Sequence, residues 1–329
     1  MKRLEHCRIT VTGGAGFIGS NLVEKLLAQD NEVVVLDNFS TGKHENIEPF
    51  LSDRRFTLIE GDIRNMSDCR RAVDGADYVL HEAARGSVQR SIEDPMTTTE
   101  VNIGGFVNML FAAAQAKVKR FVYASSSSVY GDNPTLPKVE ENIGRALSPY
   151  ALTKHANELY ACNFHDLYGI ETIGLRYFNV FGKRQDPQGA YAAVIPRFVQ
   201  SLLNHTSPVI NGDGSYSRDF TYVDNVVHAN ELALLCEEKS SLNEIYNVSL
   251  GGRITLRELF ESLRSALAEY DPAIKVIPAV YGPERLGDIP HSQACIEKIV
   301  KKLNYTPQVS VEEGIKKAVK WYYEKFQQK

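Results

Sequence analysis

The sequence has no long apolar run: no window approaches 18 uninterrupted apolar residues, so no membrane span is expected. It also has no basic block. Lys and Arg total 37 against 41 Asp and Glu, giving a net charge of −4, which disfavours a nucleic-acid partner. The five cysteines, Cys7, Cys69, Cys162, Cys236 and Cys295, are scattered without a C-x-x-C spacing. That pattern excludes a disulfide frame and a zinc site. It reads as reduced thiols in a cytoplasmic protein, with no metal expected. Met1 to His6 leads into an apolar run too short and too glycine-rich for a signal peptide. There is no internal repeat. The single tryptophan, Trp321, falls in the last expected helix, about Val311 to Phe326, where packing is its expected role.

The chain does have alternation. It is 329 residues long and 43% hydrophobic, enough for one large α/β domain or two unequal ones. "CRITVT" from Cys7, "EVVVLD" from Glu32, "FTLIEGD" from Phe56, "YVLHEAA" from Tyr78 and "RFVYASS" from Arg120 read as strands. Helical spacing separates them, as in "FIGSNLVEKLLAQ" with Ile18, Leu22, Leu26 and Leu27 on one side. Apolar strands alternating with amphipathic helices predict a doubly wound parallel α/β sheet with right-handed crossovers. A helix from about Pro149 leads to a further strand, "IETIGLRYFNV". After that the segments shorten and turns multiply, which places a smaller C-terminal lobe beyond residue 180.

Between the first strand and first helix lies "GGAGFIG", with Gly13, Gly16 and Gly19 three apart. At such a junction glycine permits a tight turn, and the helix N-terminus turns its N–H groups toward a pyrophosphate. Asp37 ends the next strand, 18 positions after Gly19, where a carboxylate accepts from an adenosine ribose and repels a 2′-phosphate. The pair predicts NAD rather than NADP. Asp62 and Ile63, ending the third strand, are placed to reach the adenine edge.

"ASSSSVYGD" sets four serines, Ser125 to Ser128, after an apolar strand, and composition alone reads the run as a linker. "SPYALTK" then puts Tyr150 and Lys154 one helical turn apart on one face. A phenol has a pKa of about 10, and lowering it by about three units takes roughly 4 kcal/mol. An adjacent ammonium and a positive nicotinamide ring are expected to supply this and make Tyr150 a usable base.

Taken in order, "GGAGFIG", "DNFSTG", "SSSSVYGD", "SPYALTK", "LRYFNVFG", "RDFTYVDNVVHAN" and "ERLGDIPHS" resemble the extended short-chain dehydrogenase/reductase family. The greatest likeness is to its UDP-hexose 4-epimerases, especially the branch acting on UDP-N-acetylhexosamines. The resemblance implies a Rossmann-type NAD-binding domain over residues 1–180, with residues 220–248 returning to it. It also implies a UDP-sugar-binding lobe over residues 181–329 and a homodimer built on two helices of each subunit, near Thr98 to Ala116 and Pro149 to Tyr168. Ser126, Tyr150 and Lys154 are the implied catalytic residues. Tyr150 removes the O4 proton, Ser126 shares it, and a 4-keto sugar forms and turns over. The implied cofactor contacts add Phe17, Ile18, Asn38, Ser40, Gly42, Ala83, Ala84, Asn102, Ser125, Tyr177 and Val180. The implied substrate contacts are Ser87, Arg90, Ser126, Ser127, Ser128, Tyr150, Asn179, Ala193, Val194, Val209, Asn211, Arg218, Arg285, Asp288 and Ser292. Among these, Arg218 and Arg285 hold the pyrophosphate and Asp288 a ribose.

Relatives that dehydrate hexoses carry an acidic pair where this chain has Ser127 and Ser128, and a decarboxylating branch commonly has Glu at the second. Both reactions are disfavoured here. Seven residues after Arg285 the resemblance implies a pocket-wall residue, and there a small side chain, here Ser292, leaves room for a 2-acetamido group. Ser292 is also a candidate helix cap. The expected reaction is interconversion of UDP-GlcNAc and UDP-GalNAc, with UDP-Glc and UDP-Gal as a second pair. A uronate substrate facing Arg90 is the alternative. A non-catalytic NAD-binding regulator is a further reading, weakened by the presence of Ser126, Tyr150 and Lys154 together.

Overall fold

In the computed structural model, residues 3–187, 192–284 and 289–327 are described. The strands are β1 (Arg8–Thr12), β2 (Glu32–Asp37), β3 (Phe56–Glu60), β4 (Tyr78–His81), β5 (Arg120–Ser126), β6 (Glu171–Tyr177), β7 (Val180–Phe181), β8 (Val209–Asn211), β9 (Ser217–Arg218), β10 (Thr221–Tyr222), β11 (Glu244–Val248), β12 (Ile254–Thr255) and β13 (Val280–Gly282). The α-helices are α1 (Phe17–Leu27), α2 (Met66–Val73), α3 (Val88–Glu93), α4 (Pro95–Thr99), α5 (Phe106–Gln115), α6 (Pro149–Tyr168), α7 (Val194–Leu203), α8 (Val223–Leu235), α9 (Leu256–Ala268), α10 (Glu297–Leu303) and α11 (Val311–Gln327).

Seven strands form one parallel sheet in the order β11-β6-β5-β4-β1-β2-β3. β2 shows why its sequence lacks polar alternation. Val33 and Val35 enter one core with α1 and α8, while Val34 and Leu36 enter another with α2, α5 and α6. A strand buried on both sides needs apolar residues at both parities. The chain order reverses between β1 and β4, so the carboxyl ends of these strands splay apart and leave a crevice. α8 and β11, far along the chain, pack into the sheet's cores, and β11 pairs with β6. A separate core gathers α7, α9, α11 and β8, with Trp321 packed half-buried against it.

Two local features set the site. Helix α6 starts where Ser148 caps the Ala151 N–H at 3.1 Å and Pro149 occupies the first turn, and it ends at Gly169 with φ +70°. The helix expected from Thr98 to Ala116 is broken in pitch: a π-helical turn, Glu100–Gly105, joins α4 to α5. The first strand begins at Arg8, one residue later than its apolar pattern predicts.

Candidate active site

The main cleft, about 1070 Å³, opens at the reversal between β1 and β4. One wall is the glycine turn. Gly13 sits at φ +68°, and a Cβ there would lie 2.8 Å from the Ala83 nitrogen on the neighbouring strand's extension. At Gly19 a Cβ would come within 2.2 Å of the Gly13 carbonyl, so both positions exclude side chains. Gly16 caps α1 without a side-chain hydrogen bond. The first amides of α1 are therefore not satisfied by a capping side chain at the cleft wall formed by Gly16, Phe17, Ile18 and Gly19.

Asp37 faces this wall. It is buried, and its two oxygens accept the Ala15 N–H at 2.9 Å and the Phe39 N–H at 2.8 Å. Burial holds its pKa above the usual carboxylate value despite those bonds. A carboxylate has about four acceptor positions, so capacity remains for two hydroxyls. Asn38, Ser40, Gly42 and Ile63 line the same end. The glycine cradle, the uncapped helix and this carboxylate fit a dinucleotide.

Asp62 is placed differently from expectation. It stands beside the cleft rather than on its lining, gripped by the Arg64 guanidinium at 3.0 and 2.7 Å and by Asn38 Nδ2 at 2.8 Å. Arg64 holds it down to about 2. Its part is to orient Asn38 and Arg64, both of which line the cleft. Asn102 is likewise off the lining. It lies buried in the π-helical turn, accepts the Arg85 N–H at 2.7 Å, and donates to the Arg85 carbonyl and Thr153 Oγ1. It thus fixes the loop Ala83-Ala84-Arg85, whose residues do line the cleft.

The opposite wall comes from β5, α6 and β6. Ser126, at the end of β5, accepts the Ser128 N–H at 3.1 Å and lines the cleft beside Tyr150. Tyr150 is anchored by its own N–H, which donates to Ser91 Oγ at 3.0 Å. Lys154 lies with its Nζ 5.9 Å from the centre of the Tyr150 ring and donates to the Ala124 carbonyl at 2.7 Å. Burial pushes Lys154 down to about 8, while Glu82 and Glu158 pull it up. The expected acidification of Tyr150 does not come from the protein's own groups. Burial raises its pKa, the Ser126 hydroxyl lowers it, and the Glu82 charge raises it. Tyr177, Asn179 and Val180 complete this wall. Asn179 sits at φ +36° and donates to the Asp219 carbonyl at 3.0 Å.

Ser125 lines the cleft, yet its hydroxyl turns away, donating to Glu158 at 2.5 Å. Glu158 in turn holds both forks of Arg176 at 2.8 and 2.9 Å. Ser127 and Ser128 open a tight turn, Ser127–Tyr130, and leave the lining to Ser126. The Ser128 hydroxyl is buried with no hydrogen-bond partner among the described residues. Ser87, Arg90 and Ala193 stand on the rim, and Ala193 caps α7 without a side-chain bond.

The other expected substrate residues lie outside the main cleft's lining. Val209 and Asn211 lie on β8 beside β13. Arg218 donates to the Ser217 and Pro290 carbonyls, each at 3.0 Å, and the Ser292 N–H donates to the Ser217 carbonyl at 3.0 Å. Arg218 and Ser292 are thus brought together. Ser292 is not a helix cap, because α10 begins at Glu297 with Ile296 before it. Val194 is the first residue of α7, one position beyond the lining. Arg285 and Asp288 lie outside the described residues.

Sequence reasoning missed Glu82. It lines the cleft half-buried, accepts the Tyr177 hydroxyl at 2.7 Å, and is pushed up to about 7 by desolvation. The available signal was a carboxylate at the inner end of an apolar strand, "YVLHE". Among the described residues no group of three His, Cys, Asp or Glu is arranged for a metal, and no helix is long and apolar enough to cross a membrane.

A parallel sheet reversed over a glycine turn, with a serine, a tyrosine and a lysine across the cleft, defines a dinucleotide-dependent dehydrogenase-type enzyme. The chain belongs to the NAD-dependent epimerase/dehydratase family, whose model matches residues 9–249. Within it, the chain is an enzyme of the UDP-sugar 4-epimerase group and uses NAD. It is 40% identical to a UDP-N-acetylglucosamine 4-epimerase from Methanobrevibacter ruminantium, solved in complex with UDP-N-acetylmuramic acid, with 98% of this chain and 100% of that chain covered and a TM-score of 0.90. It is 35% identical to a UDP-glucose 4-epimerase of Mycolicibacterium smegmatis over 97% of this chain and 100% of the relative. It is 29% identical to a mutant UDP-glucuronic acid 4-epimerase from Bacillus cereus, solved with NAD and a fluorinated UDP-glucuronic acid, with 96% and 99% covered and a TM-score of 0.86.

Proposed function

We propose that this protein interconverts UDP-GlcNAc and UDP-GalNAc, with UDP-Glc and UDP-Gal as a second substrate pair. The carrying observation is that Ser126, Tyr150 and Lys154, the last two one helical turn apart, line the cleft that also holds the glycine turn and Asp37. Asp37 binds the adenosine ribose. The α1 N-terminus binds the pyrophosphate of the cofactor. NAD held by these residues would supply the hydride acceptor, and then the donor, for C4 of the sugar.

Tyr150 accepts the O4 proton through or beside Ser126 and later gives it back. Lys154 keeps positive charge near the phenolate and the nicotinamide ribose. Tyr177, Asn179 and Val180 bound the reacting end. Arg218, Arg285 and Asp288 hold UDP while the 4-keto sugar turns over. Guanidinium groups suit that task by binding phosphate in bidentate fashion.

Preference for acetylated sugars rests on Ser292, whose small side chain leaves room beside the 2-substituent. The neighbour with UDP-N-acetylglucosamine 4-epimerase activity supports the same choice. Dehydration and decarboxylation are disfavoured, since Ser127 and Ser128 supply no acid or base near neutral pH. A second reading is favoured by one observation: Arg90 lines the cleft together with Arg85, whose guanidinium is paired with Asp94 at 2.8 Å, so a 6-carboxylate on the same sugar would meet this arginine cluster.

A homodimer is part of the proposal. Leu152, Leu159 and Leu167 lie exposed along α6, with Val88, Ile92 and Met96 exposed on α3 and α4 nearby. A row of large apolar side chains on a pair of packed helices suits a helix-to-helix contact between two copies. Light scattering gives the mass directly.

The activity is tested by incubating purified protein with UDP-GlcNAc, without added cofactor, and separating the products. UDP-GalNAc without net NADH is expected. Absence of product from every UDP-hexose would refute the enzymatic reading. Conversion of UDP-N-acetylglucosaminuronate alone would move the assignment to the uronate.

A further inference from the structure

We propose that Glu82 is a positioning residue for the Tyr150–Lys154 pair, a half-buried carboxylate anchored by Tyr177 that fixes the pH window in which the pair works. This rests on reading Tyr150 and Lys154 as the catalytic pair. Glu82 follows His81 at the end of β4, and its N–H donates to the Thr12 carbonyl at 3.2 Å, beside β1. Its Oε1 accepts the Tyr177 hydroxyl at 2.7 Å, and that hydroxyl accepts Asn230 Nδ2 at 2.9 Å. Asn230 on α8 also donates to the Val226 carbonyl at 2.9 Å. Groups on β6 and α8 therefore hold a carboxylate that β4 delivers.

β4 pairs with β5 with His81 opposite Tyr123, so Glu82 follows beside Ala124, whose carbonyl takes the Lys154 ammonium at 2.7 Å. Lys154 and Tyr150 from α6 and Tyr177 from β6 line the same cleft. His81, its chain neighbour, is neutral: burial pushes it down to about 3, and its Nδ1 pairs with Thr12 Oγ1 at 2.9 Å. Glu158, the other acid acting on Lys154, is committed to Arg176. Among the described residues no arginine pairs with Glu82, in contrast to Glu158.

Electrostatics gives the consequence. A carboxylate repels a phenolate, so ionised Glu82 raises Tyr150. It attracts an ammonium, so it also raises Lys154. Both shifts have one sign. Activity needs the phenolate form of Tyr150 on the acid side and the ammonium form of Lys154 on the alkaline side. Removing the Glu82 charge therefore moves both limbs of the profile toward lower pH, without closing the window. Glu82 itself ionises near 7, so the effect is complete above that pH.

The test uses NAD-loaded protein and the variant Glu82→Gln, whose amide oxygen still accepts from Tyr177. Phenolate absorbance is followed as pH rises, and the same protein carrying Tyr150→Phe is subtracted to isolate Tyr150. The Tyr150 midpoint should fall by about one pH unit, and the alkaline limb of kcat/KM should fall with it. Glu82→Asp keeps the charge while shortening its reach to Tyr177. It should lose kcat with the midpoint near the parent's. A midpoint unchanged in Glu82→Gln would overturn the proposal, and loss of kcat alone would show a purely structural role. If Tyr150→Phe stays active, the catalytic reading fails, while the phenolate titration still decides the part of Glu82.

Discussion

The Lys154 ammonium donates to the Ala124 carbonyl at 2.7 Å and lies 5.9 Å from the centre of the Tyr150 ring. This ties the lysine to the end of β5, directly before the serine run, so the strand sets the distance between cation and phenol. Burial brings Lys154 down to about 8, close to the pH at which its charge is needed. Lys154→Met keeps the stem and removes the charge. It should lower kcat by about 10²-fold or more, with the alkaline limb that reports loss of the Lys154 charge abolished. Steady-state kinetics across pH checks this.

Tyr150→Phe removes the proton acceptor and leaves the ring between Ser126 and Lys154. We expect kcat to fall by about 10²- to 10⁴-fold. UDP-sugar binding, measured by calorimetry, should stay within a few-fold of the parent.

Asp37 selects the cofactor by charge. Asp37→Asn keeps the shape and removes the charge that repels a 2′-phosphate. NAD affinity should drop roughly tenfold, through loss of charge-assisted bonds, while NADP affinity rises. Titration of cofactor-stripped protein with each dinucleotide measures both.

Glu82 also bears on stability. Its native pKa, about 7, lies above the ordinary glutamate value, so the native state holds the proton longer than the unfolded chain. Its contribution to stability therefore declines as pH rises from about 4 to about 7 and is constant beyond. Glu82→Gln should remove that decline. The Tm difference, variant minus parent, should grow between pH 5 and pH 8, as read by calorimetry.

Ser292→Tyr fills the space assigned to the acetamido group. It should depress kcat/KM for UDP-GlcNAc by at least tenfold and leave UDP-Glc turnover within a few-fold. Equal loss on both sugars would count against Ser292 as a selector.

The sheet was legible because its strands announce burial on two faces: Val33 to Leu36 admit no other placement. The glycine turn and Asp37 were legible because the junction forbids side chains at Gly13 and Gly19. The Tyr150–Lys154 spacing placed both residues on one helical face, but not the orientation of the ammonium toward Ala124. Asn102 sits on a π-helical turn and bonds Arg85, and no periodicity marks such a turn. Asp62 is held by Arg64, two residues on, a pairing that the sequence pattern did not signal. Ser125 turns to Glu158, a partner 33 positions away that only the packing of α6 on β5 reveals. Glu82 was missed since one carboxylate in an apolar strand gives no pattern.

The most direct test follows a deuterium label at C4 of UDP-GlcNAc through turnover without added cofactor. UDP-GalNAc that retains the deuterium at C4 is predicted, because the hydride leaves and returns within one bound substrate. UDP-GalNAc that has lost the label to solvent, or a dehydrated sugar in its place, would contradict it.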